Sequence, residues 1–327
     1  MHFRTELSVN KSLLQFHHRT PFLTIGSCFS EEIGQLLEAS KFNVLNNPFG
    51  TMFNPISIAK IIQGICRTTE RKPLPILAGD VWLDYRFHSS IYGYSEKELK
   101  ETIDQKFQQA SDQLSQPNSV FVITLGTAWV YRLLSENCIV ANCHKQSYTL
   151  FQKELSSLEE QLHVFKEALN LLFENFPHCQ VILTLSPVRH TKDGLEENQI
   201  SKSSLRLLCH QLNSAFPQLH YFPSYEIILD DLRDYRFYSK DLVHPNEQAV
   251  NYIWEKFRHT FFDKHTDQVV HQWMQIRQNL LHKPFYEKGK AYKKFMEQTL
   301  QDLEHIHHKI DVTKEIEELK QTIQRHA

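Results

Sequence analysis

Short apolar strands alternate with amphipathic helices along most of the chain, and this alternation restricts the folds open to it. Residues 120–125 form an apolar run of strand length, and residues 157–173 carry leucine and phenylalanine at helical spacing. Further strands are predicted at 21–26, 42–45, 179–185 and 219–222, and further helices at 30–37, 56–65, 205–212 and 249–257. This order predicts a parallel sheet with helices on both faces, which is an α/β fold.

The alternation weakens in two stretches and ends near residue 280. Residues 66–118 and 131–150 are interpreted as insertions or loops beside the main domain. Beyond residue 280 the chain is rich in Lys, Glu, Gln and His, with a thin apolar stripe typical of helices. We therefore expect an α/β domain over residues 1–265 and a helical C-terminal extension over 266–327. The extension either packs on the domain or mediates self-association, and the sequence leaves both alternatives open.

Bulk composition argues against several classes of protein. The 327 residues carry a formal net charge of −2, which gives no overall attraction for nucleic acid or anionic lipid. No apolar run approaches the roughly 20 residues that span a bilayer, and no signal-peptide-like apolar stretch follows the first residues. We therefore expect a cytoplasmic protein without a nucleic-acid or membrane partner. Its six cysteines are expected to be free thiols.

Two segments far apart in the sequence carry residues suited to acyl transfer. Ser27 and Cys28 follow the first predicted strand, and Asp241 and His244 precede the last predicted helix of the domain. A hydroxyl or thiol attacks an acyl carbon when a base takes its proton, and a carboxylate can orient a histidine for that task. An Asp and a His at this spacing are more often structural, so the pair alone does not decide the function.

Several strand ends are expected to meet where Ser27 and Cys28 lie. Ligands of open parallel sheets bind beyond the carboxyl ends of the strands. Gly126 and Ser186 also follow predicted strands. Three loops are therefore expected to converge on one edge of the sheet.

Five short strings give the chain a family resemblance. They are GSCFS at 26–30, NPFGT at 47–51, TLGTAW at 124–129, SPVRH at 186–190 and DYRFY at 234–238. With these strings, residues 20–265 resemble the GSCFA family of bacterial proteins, which itself resembles the SGNH (GDSL) esterase superfamily. The resemblance implies a three-layer αβα fold of the flavodoxin-like SGNH type. It also implies an acyl hydrolase or acyltransferase for esters, such as O-acetyl groups on glycans or small metabolites, that uses no metal and no cofactor.

The resemblance implies a role for each residue of the two segments. When Gly-Asp-Ser of SGNH enzymes is set over residues 26–28, Cys28 takes the nucleophile position and Ser27 takes the Asp position. The alternative is an attacking Ser27 beside a buried Cys28, and both stay open. His244 would be the base and Asp241 would orient it, as in the Asp-x-x-His block of the superfamily.

The oxyanion hole departs from the superfamily pattern. Gly50 resembles the glycine of the second SGNH block, and the backbone N–H of Cys28 would be another donor. In the third block the usual Gly-x-Asn is replaced by Gly-Thr-Ala at 126–128, so the usual amide donor is missing. The candidates to replace it are Thr127, Asn47 and Asn54.

Three further side chains are candidates for substrate binding. Arg189 and His190 follow a predicted strand and could bind an anionic or polar group. An ion pair of Arg189 with Asp193 or another surface carboxylate is an equally good interpretation. His88, in the first insertion, could line the pocket, but a single histidine in a loop is more often incidental.

Two rival interpretations come from the same sequence. Cys138, Cys143 and His144 are residue types that can bind zinc, and they lie close together in the sequence. The second ligand pair of a zinc finger is missing, so no metal is expected. The missing third-block asparagine favours a catalytically idle protein that binds a glycan or a partner.

Overall fold

A computed structural model describes residues 4–66, 72–282, 284–286 and 289–325. The chain divides into two compact units. The α/β unit comprises Met1–Val9, Thr20–Leu36 and Val44–Lys256, and the helical unit comprises Asn10–Arg19, Leu37–Asn43 and Phe257–Ala327.

Strands and helices follow one another as the sequence predicts over most of the chain. The strands of the described residues are β1 (Pro21–Gly26), β2 (Asn43–Asn46), β3 (Pro75–Ala78), β4 (Val81–Asp84), β5 (Val120–Leu125), β6 (Trp129–Leu133), β7 (Cys138–Val140), β8 (Phe151–Leu155), β9 (Gln180–Leu185) and β10 (Leu219–Phe222). The helices there are α1 (Cys28–Ala39), α2 (Pro55–Cys66), α3 (Glu96–Ser115), α4 (Leu158–Asn175), α5 (Leu195–Ala215), α6 (Ser224–Glu226), α7 (Glu247–Phe261), α8 (Lys264–Leu281), α9 (Lys290–Ile306) and α10 (Thr313–Arg325).

A five-stranded parallel sheet forms the centre of the α/β unit, in the order β10-β9-β5-β1-β2. Gly26 at the end of β1 lies opposite Thr124 of β5. All six residues of β1 and all six of β5 are buried, so both faces of the sheet are covered. The predicted α/β fold with helices flanking a parallel sheet is therefore confirmed.

The largest apolar core lies between one face of this sheet and helices α2 to α5. The sheet contributes Leu23, Ile25, Phe121, Ile123, Val181 and Leu183, and the helices contribute Ile58, Ile62, Phe107, Phe165, Leu169, Leu205 and Leu208. Burial of each such side chain stabilises the fold by about 1.5–3 kcal/mol. This core fixes the sheet and therefore the loops that leave it.

The two insertions contain more regular structure than the sequence analysis predicts. Strands β3 and β4 form an antiparallel pair, and β7-β6-β8 form a three-stranded antiparallel sheet. Helix α3 has 20 residues and begins at the N-cap Ser95, whose side chain accepts from the Glu98 N–H. Its buried stripe is narrow, with Leu99, Ile103 and Phe107 as its first members. We call β3, β4 and β6 to β8 the antiparallel insertions.

The helical unit has an apolar core of its own, and the predicted helical extension is confirmed. Trp273 of α8, Met296 and Leu303 of α9 and Leu319 of α10 belong to one buried cluster. The Trp273 Nε1–H donates to the Ala39 carbonyl at 2.7 Å. None of the helices in the described ranges is both long enough and apolar enough to cross a membrane.

Candidate active site

The loops that follow β1, β2 and β5 are joined to one another by hydrogen bonds. The Met52 N–H donates to the Gly26 carbonyl at 2.8 Å. The N–H groups of Gly126 and Thr127 both donate to the Phe53 carbonyl, at 2.7 and 3.0 Å. The carboxyl ends of the parallel strands thus form one continuous surface. We call this surface the strand-end edge; it comprises Ser27, Cys28 and the loops at 47–54, 88–90, 126–128, 186–190 and 238–244.

Ser27 and Cys28 lie at the start of α1, directly after the tight end of β1. Gly26 has a φ of 148°, and a Cβ there would lie 2.2 Å from the Thr124 carbonyl oxygen, so only glycine fits. Ser27 is 1% exposed, and its Oγ has no hydrogen-bond partner among the residues that the structure describes. Cys28 is half-buried. Of the two candidate nucleophiles, Cys28 is therefore the more accessible.

The Cys28 thiol keeps its proton to a higher pH than an ordinary cysteine thiol does, because its pKa is raised. Burial raises its pKa, and the carboxylates of Glu32 and Glu31 in the same helical turn raise it further. These effects outweigh the attraction of the helix N-terminus for a thiolate. A base is therefore needed to remove the proton.

Asp241 and His244 form a hydrogen-bonded pair. Asp241 Oδ2 lies 2.6 Å from His244 Nδ1, and Asp241 Oδ1 accepts from the N–H groups of Val243 and His244 at 2.9 and 3.1 Å. These main-chain N–H groups and the His244 side chain lower the pKa of Asp241 to about 2. The side chains of His244 and Asp241 are 42% and 49% exposed, so a ligand can reach the imidazole.

Arg189 attaches this pair to the loop that follows β9. Its guanidinium group stacks on the rings of Tyr238 and Tyr235, at 4.5 and 5.2 Å from the centroids, and donates to the Leu242 carbonyl. Its N–H donates to the Val243 carbonyl at 3.2 Å. The predicted alternative, an ion pair of Arg189 with Asp193 or another carboxylate, is not found among the described residues, where Asp193 pairs with Lys153. Arg189 thus holds the loop, and its buried Nε has no hydrogen-bond partner within the described residues.

His190 and Glu32 lie within the electrostatic reach of His244. Burial, together with the charges of Lys202 and His244, lowers the pKa of His190 to about 4. Burial raises the pKa of the Glu32 carboxyl, whereas the charge of His244 lowers it. Glu32 is four residues after Cys28 and therefore shares its helix face. The charge of His244 therefore acts on Glu32 of the early segment and on His190 of the loop after β9.

The His190 ring is held by its neighbours, yet one of its nitrogens is unused. Its edge meets the Phe53 ring, with 5.6 Å between centroids, and its main-chain N–H donates to Asn198 Oδ1 at 2.8 Å. Its Nε2 is buried and has no hydrogen-bond partner in the described part of the chain. The imidazole is neutral at ordinary pH and can bond a ligand.

The predicted oxyanion donors differ in whether they are free. The Gly50 N–H donates to the Asn47 carbonyl at 2.8 Å, and Thr127 Oγ1 lies 3.0 Å from Ser201 Oγ. Asn54 Oδ1 accepts from the Ser57 N–H at the start of α2. Asn47 Oδ1 accepts from the Gly26 N–H at 3.0 Å, which fixes the orientation of the side-chain amide. No acceptor within the described ranges bonds the buried Nδ2 atom of this amide.

His88 lies directly against Gly50. A Cβ on Gly50, whose φ is 72°, would lie 2.4 Å from the His88 Cβ. His88 Nδ1 lies 3.0 Å from Ser90 Oγ. The structure therefore places His88 at the strand-end edge, where sequence analysis left its position open.

Comparison with known proteins decides the family. The sequence model of the GSCFA family matches residues 21–257, and that of the GSCFA domain protein, C-terminal domain, matches residues 273–325. The chain belongs to the GSCFA family. No curated protein matches this GSCFA family member significantly. A solved structure from Streptococcus pneumonia, described provisionally as a platelet activating factor, is similar at 12% identity and a TM-score of 0.39, over 73% of this chain and 83% of that one. A similarity of that size carries no argument about fold or activity.

One residue of this GSCFA family member's strand-end edge was missed by sequence analysis. Lys202 of α5 is 1% exposed and donates to the main-chain carbonyls of Gly126 and Ser186. The sequence contained a signal that Lys202 is buried. Leu205 and Cys209, which follow it by three and seven residues, lie on the same buried stripe of α5. A lysine within an apolar helix stripe indicates a buried amine.

The zinc interpretation found no support in the antiparallel insertions. His144 Nε2 lies 2.9 Å from the Asp84 carbonyl, and the Cys143 pKa is raised to about 11 by burial. Within the described residues, no group of three or more His, Cys, Asp or Glu side chains is arranged to hold a metal ion.

Proposed function

We propose that this protein is an acyl hydrolase or acyltransferase that acts on esters, with Cys28 as nucleophile, His244 as base and Asp241 as the residue that orients His244. One observation carries the proposal. The 2.6 Å pair of Asp241 and His244 belongs to a loop that Arg189 attaches to the edge where Cys28 begins α1. A nucleophile, a base and an orienting carboxylate are the minimum set for covalent acyl transfer.

Sulfur is favoured over oxygen as the attacking atom. Cys28 is half-buried, whereas Ser27 is enclosed. His244 takes the thiol proton as the sulfur bonds the acyl carbon, and the carbonyl electron pair moves to oxygen. As that oxygen reforms the carbonyl, the ester alcohol leaves with the proton from His244. Water or another hydroxyl compound then cleaves the thioester by the same steps in reverse.

Asn47 replaces the missing third-block donor in this proposal. Its Nδ2 is a buried N–H donor without an acceptor in the residues described, and its orientation is fixed by the Gly26 N–H. The Cys28 N–H, at the start of α1, is not needed by the helix and is the second donor. Two preorganised donors are enough to stabilise the oxyanion.

The substrate that fits this edge is an ester with polar, uncharged groups. Arg189 is bound to the loop at 235–243, which leaves the neutral imidazole of His190 and the side chain of His88 as the polar groups beside the reacting centre. Neutral imidazoles hydrogen-bond hydroxyls well. An O-acyl group of a glycan or a small hydroxylated metabolite is therefore the proposed substrate.

A second candidate function has a specific observation in its favour. The Gly50 N–H and the Thr127 hydroxyl, both predicted oxyanion donors, are engaged inside the protein. In a catalytically inactive protein that binds a glycan at the same edge, these groups would likewise be hydrogen-bonded to other groups of the protein.

Ester turnover distinguishes the two functions. We would compare hydrolysis of 4-nitrophenyl acetate and of an acetyl thioester by the native chain, Cys28→Ala, Ser27→Ala and His244→Ala. Cys138→Ala and His163→Ala, which remove a half-buried thiol and an exposed imidazole elsewhere, are the matched controls. We expect Cys28→Ala and His244→Ala to lose about 10³-fold or more of kcat, with the controls and Ser27→Ala active. Equal rates in all six proteins would favour the binding function.

A further inference from the structure

Lys202 is a buried cation at the strand-end edge. It lies in α5, on a stripe that includes Leu205 and Leu208, and is 1% exposed. No carboxylate in residues 4–66, 72–282, 284–286 and 289–325 pairs with it, and its partners are uncharged: two main-chain carbonyls and the face of the Tyr225 ring, 5.5 Å away. Burial of an ammonium group without a counter-ion opposes folding, and an apolar chain of the same length avoids that cost. Stability alone therefore does not account for a lysine here.

The Lys202 amine joins two loops of the candidate active site. Its Nζ donates to the Gly126 carbonyl at 2.8 Å and to the Ser186 carbonyl at 2.7 Å. Gly126 directly follows β5 and Ser186 directly follows β9, which are neighbouring strands. The amine thus fixes the separation of the two loops where they leave the sheet.

The preceding residue of α5 holds one of the same loops. Ser201 Oγ accepts from the Ala128 N–H at 2.8 Å and lies 3.0 Å from Thr127 Oγ1. Two consecutive residues of one helix therefore fix the segment that, in this chain, lacks the usual third-block asparagine.

From Ser186 a chain of contacts leads to the proposed base. The loop after Ser186 carries Arg189, whose N–H donates to the Val243 carbonyl and whose guanidinium group bonds the Leu242 carbonyl. Leu242 and Val243 directly precede His244. A displacement of the loop at 186–190 would consequently displace the imidazole.

We propose that Lys202 is a positioning residue for acyl transfer, which sets the loop at 186–190, and through Arg189 the imidazole of His244, against the loop at 126–128. The proposal rests on the proposed function. The amine keeps this task in either protonation state, because even a neutral amine has two N–H groups for the two carbonyls. Burial lowers the pKa of Lys202 to about 7, so both states occur near neutral pH.

Replacement of Lys202 by methionine tests the proposal. Lys202→Met keeps the chain length and removes both hydrogen bonds, and Lys60→Met is the matched control, since Lys60 donates to the Ile139 carbonyl away from the edge. We expect kcat for 4-nitrophenyl acetate to fall by about tenfold or more while KM changes by less than about twofold, because misplaced groups act on the transition state. An unchanged kcat, or a fall that only follows the loss of folded protein, would overturn the proposal.

Two measurements that do not depend on ester turnover test the positioning role of Lys202 separately from the proposed function. Hydrogen exchange at the Arg189 amide should accelerate in Lys202→Met but not in Lys60→Met, because the loop is released. The pKa of His190, followed by NMR of its imidazole, should rise because a neighbouring positive charge is gone. If the native chain hydrolyses no ester, the proposed function fails. If Lys202→Met changes neither the exchange of the Arg189 amide nor the titration of His190, the positioning role fails, whatever the outcome for the function.

Ser201→Ala serves if Lys202→Met does not fold. It removes one acceptor from the Ala128 N–H and leaves Lys202 in place. We expect a severalfold fall in kcat at constant KM and faster exchange of the Ala128 amide. Native values of kcat and of Ala128 exchange would contradict the role assigned to this turn of α5.

Discussion

The strand-end edge and the antiparallel insertions both contain buried polar side chains, but these differ in how completely they are hydrogen-bonded within the protein. In the insertions, Asp84 is 1% exposed and accepts from Arg86 Nε at 2.8 Å, from Arg86 Nη2 at 2.6 Å and from the Leu74 N–H at 3.1 Å. At the strand-end edge, four buried side-chain atoms lack a partner in the part of the chain that the structure covers: Ser27 Oγ, Asn47 Nδ2, Arg189 Nε and His190 Nε2. In the insertions there are two within the same residues, Trp129 Nε1 and His144 Nδ1.

This difference separates stability from function within one unit. A buried polar group whose partners are all internal stabilises the fold, whereas one without an internal partner costs free energy unless a ligand or water supplies the bond. Unsatisfied groups concentrated at the carboxyl ends of parallel strands therefore favour a ligand site there. Groups such as Asp84 favour a structural role for the insertions.

The largest expected effect comes from Asp241. Asp241→Asn removes the charge that orients and stabilises the His244 imidazolium, so kcat for esters should fall about 10³-fold while the protein stays folded. Asp80→Asn, in the exposed turn between β3 and β4, is the control and should keep its activity. Steady-state kinetics of both variants measure the contrast. Equal kcat values in the two variants would remove the distinction between the two regions.

Asp84 should show the opposite behaviour. Asp84→Ala leaves the Arg86 guanidinium group without its carboxylate, and the free energy of unfolding should fall by about 3 kcal/mol. Urea denaturation measures this loss, and kcat of the remaining folded protein should stay near the native value. A large loss of kcat without a loss of stability would place Asp84 in the catalytic machinery instead.

Asn47 is expected to give a smaller loss of activity. Asn47→Ala removes the proposed oxyanion donor, and kcat should fall by about 10²-fold with KM little changed. Asn213→Ala, in α5, removes the acceptor of the Tyr221 N–H and is the matched control. If Asn213→Ala slows turnover as much as Asn47→Ala, the Asn47 amide is not an oxyanion donor.

The smallest effect is a pH dependence of stability at the strand-end edge. His190 has a pKa of about 4 in the folded chain and about 6.5 when unfolded, so the unfolded chain binds the proton first as the pH falls. The contribution of His190 is complete above about pH 6.5 and is lost on acidification toward pH 4. Urea denaturation at pH 7, 6 and 5 should show a shallower decline for His190→Leu than for the native chain. Parallel declines would show that His190 titrates normally.

The sequence predicts the central sheet well because its strands are apolar on both faces. Pro21–Gly26 and Val120–Leu125 agree with the predicted bounds, since every residue in them is buried. Helix α3 was not predicted, because its buried stripe occupies a narrow part of a largely polar helix. Helix α1 begins at Cys28 and not at the predicted residue 30, so Cys28 lies in the first helical turn.

The candidate site is predictable only where its residues are neighbours in sequence. Asp241 and His244 are three residues apart, and their pairing follows from one tight turn. The stacking of Arg189 on Tyr238 and the bonds from Lys202 to two strand ends join residues more than 15 positions apart. Such contacts depend on how the sheet and α5 pack, which local patterns do not encode.

The most direct test of the account is to identify the acylated residue. The native chain and His244→Ala would be mixed with 4-nitrophenyl acetate, quenched in acid during turnover, digested and analysed by mass spectrometry. We predict an acetyl group on Cys28 in the native chain and little or none in His244→Ala. Turnover without an acetylated Cys28, or an acetyl group on Ser27 in its place, would contradict the account.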